Sequence, residues 1–205
     1  MFIYPISTTP ASAPADHSAR PSYLHLATTV LSAPKKTRNA REILDFAERN
    51  LPTVGVLKQD ERGFVYVDLP DSYIYDLYPM IQEAGVEIPP YFDFEGAYGA
   101  HISVILSAEA LPTGALEEVG NTVSFTITDC QSVKPFGWAG IDKVYFLTVE
   151  CPELEKLREK YGLSSKINGH EFHITIALKR TQETLGFDLD HLIADPAMVS
   201  FREKV

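Results

Sequence analysis

The sequence predicts a mixed strand-and-helix chain in which one strand–helix–strand unit occurs twice, and three observations carry that prediction. Phe64-Val-Tyr-Val-Asp-Leu-Pro70 is an apolar strand stopped by a proline, and Phe146-Leu-Thr-Val-Glu-Cys-Pro152 matches it with Phe, Val, an acid and Pro in register. Each is followed by apolar residues at helical spacing, Ile74, Leu77, Tyr78 and Ile81 in the first case and Leu154, Leu157 and Tyr161 in the second. Each unit then reaches a β-branched strand with one histidine and, two residues on, a hydroxyl. These are Gly99-Ala-His-Ile-Ser-Val-Ile-Leu106 and Glu171-Phe-His-Ile-Thr-Ile-Ala-Leu178.

In chain order, residues 1–22 hold prolines at 5, 10, 14 and 21 among Ser, Thr and Ala without periodicity, which is the composition of a flexible arm. Tyr23 to Leu31 reads as a strand. Asn39-Ala-Arg-Glu42 offers a cap and a glutamate three positions on, opening a helix whose apolar stripe is Ile43, Leu44, Phe46, Ala47 and Leu51. Residues 23–55 thus form an appendage to a domain that runs to 205. The first repeat covers about 62–107, with Asp71 capping a helix through about Glu83, and the second covers about 144–180, with a helix over about Glu153 to Tyr161. The Phe–Pro strands lie 82 residues apart and the histidines 72 apart, a difference absorbed if the segment Val86 to Tyr98 is the longer connection. Recurrence of a whole unit is a stronger signal than either His-x-Ser/Thr tripeptide alone.

Length and composition bound the function. The 205 residues, 45% hydrophobic and 11% aromatic, suffice for a sizeable core. A net charge of −10 and a pI near 5.0 exclude a protein that grips long nucleic acid through its phosphates, because that needs a broad basic surface. Two cysteines, Cys130 and Cys151, make neither a disulfide framework nor a zinc spacing, so the expected compartment is the cytoplasm. No membrane span or secretory leader is expected, since no apolar run approaches the ~18 residues a span needs and the first residues lack a basic, then apolar, pattern.

Positions i and i+2 of a strand point to one face. Two such strands side by side would aim His101, Ser103, His173 and Thr175 into one cleft, as an acid/base pair with its own hydrogen-bond donors. The same alternation carries the His173 face on through Ala177 to Lys179, which would be either a cation beside a bound anion or a solvated strand-end lysine. Lys166, in the loop Ser164 to Gly169, has the same two readings. Aromatics available to stack on a base are Tyr91, Phe92 and Tyr98 before the first motif, and Phe136 and Trp138 in the loop Lys134 to Gly140. Tyr98 is the best placed of these. His170 and His173 are three apart, a spacing that serves metal binding on a helix but faces opposite ways on a strand, so no metal site is expected. His17, His25 and His191 are incidental.

With both motifs and the repeat in place, residues 62 to about 180 resemble the two-histidine (2H) phosphoesterase superfamily, which includes 2′,5′-RNA-ligase-like enzymes and 2′,3′-cyclic nucleotide phosphodiesterases. The turn Val67-Asp-Leu-Pro70 into a helix is similar to the opening of the ligase-like branch. The resemblance implies an α+β fold of two lobes related by a pseudo-twofold axis, with antiparallel sheets flanking a central groove. It implies that His101 and His173 exchange protons, that Ser103 and Thr175 bind phosphate oxygens, and that no cofactor or metal is needed. The substrate would be a 2′,3′-cyclic phosphate or a short or cyclic oligonucleotide. The chemistry suits the residues: an imidazole with a pKa near 6.5 serves as base or acid around neutrality, each such transfer being worth on the order of 10²- to 10⁴-fold. The rival reading is a nucleotide-binding or protein-interaction module that keeps the fold without turnover.

Overall fold

The structure, a computed structural model, describes residues 35–37, 39–89, 92, 96–109, 114–136 and 138–181. The N-terminal arm, the strand expected over Tyr23 to Leu31, Tyr91, His17, His25 and His191 lie outside the described residues.

The order of elements is β1 (Lys35–Lys36), α1 (Ala40–Asn50), β2 (Val54–Gln59), β3 (Val65–Asp68), α2 (Ser72–Tyr75), β4 (Val86–Glu87), β5 (His101–Ile105), β6 (Thr122–Ser124), β7 (Thr126–Val133), β8 (Ile141–Glu150), α3 (Pro152–Lys160) and β9 (Phe172–Arg180). The α1 helix buries Ala40, Ile43, Leu44 and Ala47, as its stripe requires. Asn39 stands at its N-cap position without capping it; the side-chain amide donates instead to the Met80 carbonyl. The first-repeat helix is far shorter than the spacing predicts. It stops at Tyr75, and Tyr78–Met80 form one 3₁₀ turn, because Pro79 lacks the N–H that an α-helix would need there. By contrast α3 spans nearly the predicted residues, since Pro152 sits at its first position, where no N–H is needed.

Among the described residues nine strands form one sheet in the order β1-β7-β8-β9-β5-β3-β2-β6, with β4 paired to the end of β9, and every pairing is antiparallel. The two histidine strands are central neighbours. The fold is therefore α+β and mostly sheet. Measured from the histidines, Asp68 lies opposite His101 and Thr148 opposite His173, while Tyr66 lies opposite Ser103 and Phe146 opposite Thr175. The strands thus correspond two residues away from the sequence match of Phe64 with Phe146. A two-residue offset leaves every side chain on its face.

One face of the sheet carries the core. Leu57, Val67, Ile102, Leu147, Ile174 and Ile176 are each at most 1% exposed. The helices pack crosswise on this side: α1 behind β7, α2 behind β9, and α3 behind β5. Among the described residues no helix is long and apolar enough to cross a membrane.

Candidate active site

The approach to β5 is set by Gly99, at φ +64°, where an added Cβ would collide with Oδ1 of Asp71. That carboxylate accepts the Ala100 N–H at 3.0 Å. Asp71 thus spends its side chain on the histidine strand rather than on the helix it precedes.

The centre of the sheet is the pairing of Ile102 with Ile174. Antiparallel register through this pair runs His101 past Thr175 and Ser103 past His173, all four on the face opposite the buried isoleucines. Residues directly opposite are ~4.5–5.5 Å apart and diagonal ones ~7–8 Å. Each histidine therefore has the other strand's hydroxyl as its direct neighbour and the other histidine across the diagonal.

Both rings are oriented the same way. Nδ1 of His101 lies 2.8 Å from the Gly99 carbonyl, and Nδ1 of His173 lies 3.1 Å from that of Glu171. A carbonyl only accepts, so Nδ1–H donates in each case and Nε2 is the nitrogen that gains or loses a proton. Burial pushes both imidazoles below the ordinary histidine range, partly offset by these carbonyls. His101 is pushed down further by His173 and up by Asp68, while His173 is pushed down by His170.

The surroundings of the two rings differ. His101 sits among Phe64, Tyr66 and Tyr98, with ring centroids 5.8 to 5.9 Å away. Asp68 faces it from β3 and is bridged at 2.5 Å to Lys58 on β2. On the other side the Phe146 ring lies 5.3 Å from His173, and Thr148 shares a 2.8 Å hydrogen bond with Thr128.

The remaining expected site residues are placed as follows. Tyr98 packs beside His101, but its hydroxyl donates to Asp60 at 2.5 Å, and its ring is edge-on to Phe64 and Tyr66. Trp138 packs with Ile141 against Val133, Val144 and Phe146, along the His173 side of the groove face. Phe136 is exposed, and Phe92 is buried edge-on to Tyr75. Lys166 is ion-paired to Glu171 at 2.7 Å and to Glu155 at 3.8 Å. Lys179 is a correction. The β8–β9 register steps from Phe146–Thr175 to Tyr145–Ala177, so Ile176 is an extra residue in a β-bulge. The bulge puts Ala177 and Lys179 on the face opposite His173 and Thr175, and Nζ of Lys179 is bound to Glu83 at 2.8 Å. His170 lies in a tight turn closed by a bridge to Ile167. Among the described residues no group of three His, Cys, Asp or Glu side chains is placed to hold a metal.

Asp68, Tyr66, Thr148 and Phe146 are groove-face residues that the histidine motifs do not point to. The signal was present in the alternation of Phe64 to Pro70, which puts Tyr66 and Asp68 on the face away from Val65, Val67 and Leu69.

Comparison with known proteins adds one match. A family model described as "Swiss Army Knife, 2H phosphoesterase domain" matches residues 65–183, more than half of the chain, from β3 through β9. No curated protein and no solved structure matches the chain.

Proposed function

The chain belongs to the 2H phosphoesterase superfamily, and from that premise we propose that it hydrolyses a 2′,3′-cyclic phosphate or a short or cyclic oligonucleotide phosphodiester without a metal. In this reading His101 and His173 are the acid/base pair, and Ser103 and Thr175 donate hydrogen bonds to the non-bridging oxygens, where charge develops. The observation that carries it is the matched orientation of the rings. Each Nδ1 donates to the carbonyl two residues back, which makes Nε2 the proton-transfer atom of both rings, and the two histidines stand across the diagonal of the β5–β9 pair. The reading includes a duplicated, pseudo-twofold domain of two lobes. It is supported by a strand order that steps from the β5–β9 centre to β3 and β8, then to β2 and β7. A cytoplasmic setting is part of the reading and rests on the two-cysteine count, both thiols being buried.

The test is hydrolysis of 2′,3′-cyclic mononucleotides and a panel of cyclic and 2′–5′ or 3′–5′ linked oligonucleotides, with EDTA present throughout. We expect turnover on part of the panel and a loss on the order of 10²-fold or more in both His101→Ala and His173→Ala. Full activity in either variant, or nucleotide binding without turnover from pH 5 to 9, overturns the reading.

A further inference from the structure

Asp71 stands at the N-cap position of α2, where an aspartate ordinarily accepts an N–H of its own helix, and it makes no such bond. Its Oδ1 accepts the Ala100 N–H at 3.0 Å instead. That N–H has been taken out of the sheet. Asp68 pairs with His101, so Leu69 falls opposite Ala100, and the Leu69 N–H donates to the Ala100 carbonyl at 3.0 Å. The return bond of such a pair, from Ala100 to the Leu69 carbonyl, is replaced by the one to Asp71. Gly99 makes room for this exchange, because a Cβ there would collide with Oδ1 and its φ of +64° is open to glycine without strain.

The Ala100 N–H and the Gly99 carbonyl belong to one peptide, and that carbonyl receives Nδ1–H of His101 at 2.8 Å. In a trans peptide the two groups point opposite ways, so a partner that fixes the N–H also aims the carbonyl. We propose, resting on the phosphodiesterase reading above, that Asp71 is a positioning residue for His101: it holds the Gly99–Ala100 peptide so that the imidazole keeps its proton on Nδ1 and presents Nε2 to the substrate.

Asp71 acts in two ways. As an acceptor it stops the peptide from turning, which would take the carbonyl off Nδ1 and free the ring to rotate or change tautomer. As an anion it polarises the peptide it holds. Hydrogen bonds in such a chain strengthen one another, so the Gly99 oxygen becomes the better acceptor for Nδ1–H. Burial lowers the affinity of His101 for a proton, and the Gly99 carbonyl works against it. An aspartate bound straight to Nδ1 serves the same purpose in hydrolase triads; here one peptide stands between. The other charged and titratable groups facing His101 are Asp68 and Tyr66 on β3, Lys58 beyond them on β2, Tyr98 with its partner Asp60, and His173 on β9. Asp71 is an exposed residue, so solvent screens its charge and the larger part of its effect is positional.

The matching peptide on the second side is held differently. Glu171 offers its carbonyl to Nδ1 of His173 at 3.1 Å, and the N–H of the same peptide belongs to Phe172, which enters the β8–β9 ladder opposite Val149. The Glu171 carboxylate is paired with Lys166. His173 is therefore an internal control for any change made at Asp71.

The test reads the ring first and the rate second. In the isotope-labelled intact chain, long-range proton–nitrogen NMR correlations report which ring nitrogen carries the proton, and His101→Ala assigns the signals. We expect Nδ1–H at both histidines in the parent, mixed tautomers at His101 in Asp71→Ala, and His173 unchanged. On whichever cyclic or oligomeric nucleotide the parent hydrolyses, kcat/KM of Asp71→Ala falls on the order of 10- to 10²-fold. The loss lies in kcat, with KM within about twofold. Asp71→Asn keeps an acceptor of the same shape and loses the charge. It retains the Nδ1 tautomer, stays within about threefold of the parent rate, and His101 titrates at lower pH.

Unchanged His101 signals in a folded Asp71→Ala chain, or equal changes at the two histidines, overturn the role of Asp71. So does an Asp71→Asn variant with the mixed tautomers of Asp71→Ala. If Asp71→Ala does not fold, Asp71→Asn decides, and a His101 titration that stays where it is in the parent overturns the proposal. In each of these cases turnover by the parent leaves the phosphodiesterase reading standing. A parent chain that hydrolyses no member of the panel removes that reading and the proposal with it.

Discussion

Strand β9 shows the two faces of the sheet side by side, and the contrast is instructive. On the groove face it presents His173 and Thr175, both partly exposed; on the helix-covered face it presents Ile174, fully buried, and beyond the bulge Lys179, tied to Glu83. The groove face carries the titratable and hydroxyl groups of the candidate site. The covered face also carries charge, and among the described residues Arg158 and Glu83 use theirs to hold the molecule together. Nε of Arg158, fully buried on α3, donates to the Ser164 carbonyl, one terminal nitrogen donates to the Val104 carbonyl, and both terminal nitrogens donate to Glu109. Glu83 collects Lys143, Lys179 and Tyr145. The groove face carries the candidate acid/base groups, whereas on the covered face charge is a clasp: Arg158 ties α3 to β5, and Glu83, beyond the 3₁₀ turn, ties its segment to β8 and β9.

If that division is right, the faces can be broken separately. The largest effect on the covered side is expected from Arg158→Met, which leaves Glu109 without its cation and two carbonyls without donors. Removing one partner of a buried ion pair costs about 3–5 kcal/mol, to be read as a fall in the urea midpoint at unchanged slope. Adding Glu109→Leu recovers part of that loss and not all of it, because the Val104 and Ser164 carbonyls remain unpaired. Val104 follows Ser103 directly, so this variant also tests how independent the faces are. Activity retained well below its unfolding transition means the clasp serves stability alone.

On the groove face the order is reversed. In the proposed reading Ser103 and Thr175 each donate to a developing oxyanion, so Ser103→Ala and Thr175→Val should each cost on the order of 10²- to 10³-fold in kcat. Both side chains are partly exposed, so stability should change by less than about 0.5 kcal/mol. A substantial loss of stability without a loss of rate would make these hydroxyls structural and erase the contrast.

The sequence made one half of this contrast easier to see than the other. Alternation within Gly99 to Leu106 and Glu171 to Leu178 is enough to put each histidine and its hydroxyl on one face, because a strand has a period of two. What alternation cannot reveal is a bulge: Ile176 looks like any other strand residue, yet it turns Lys179 over. The short α2 was legible in Pro79, whose missing N–H outweighs the apolar spacing of Ile74, Leu77, Tyr78 and Ile81. The strands β2, β6 and β7 lie outside the repeated unit and were not anticipated; in Thr126 to Val133 the buried residues Ile127, Cys130 and Val133 fall three apart, across an irregularity between Ile127 and Asp129, rather than alternating. Asp68 and Tyr66 were in view as a matching acid and an aromatic, but their proximity to His101 depends on a register that only pairing between distant segments fixes. The family match begins at Val65 and so takes in the same repeat that the sequence displays.

The smallest effect concerns Glu83 and Lys179, and it sharpens the contrast most directly because Lys179 lies on the histidine strand itself. Burial alone would raise the Glu83 carboxyl, but the hydrogen bonds from Lys143, Lys179 and Tyr145 hold it down at about 2. A carboxyl in the unfolded chain titrates near ~4.3. The folded value is the lower one, so the stabilisation is fully present above ~4.3 and is lost as pH falls toward about 2. With Glu83 30% exposed and therefore partly screened, about 1–2 kcal/mol is expected. Glu83→Gln should therefore be less stable than the parent at neutral pH, and the two urea midpoints should converge by about pH 2. Lys179→Met should cost less than that, since Lys143 and Tyr145 still hold the carboxylate, and it should leave KM for a phosphodiester unchanged. A rise in KM in this variant would mean that the bulge at Ile176 does not keep the lysine away from the groove. The assignment of charge to two separate faces would then fail at the strand on which it is most exposed.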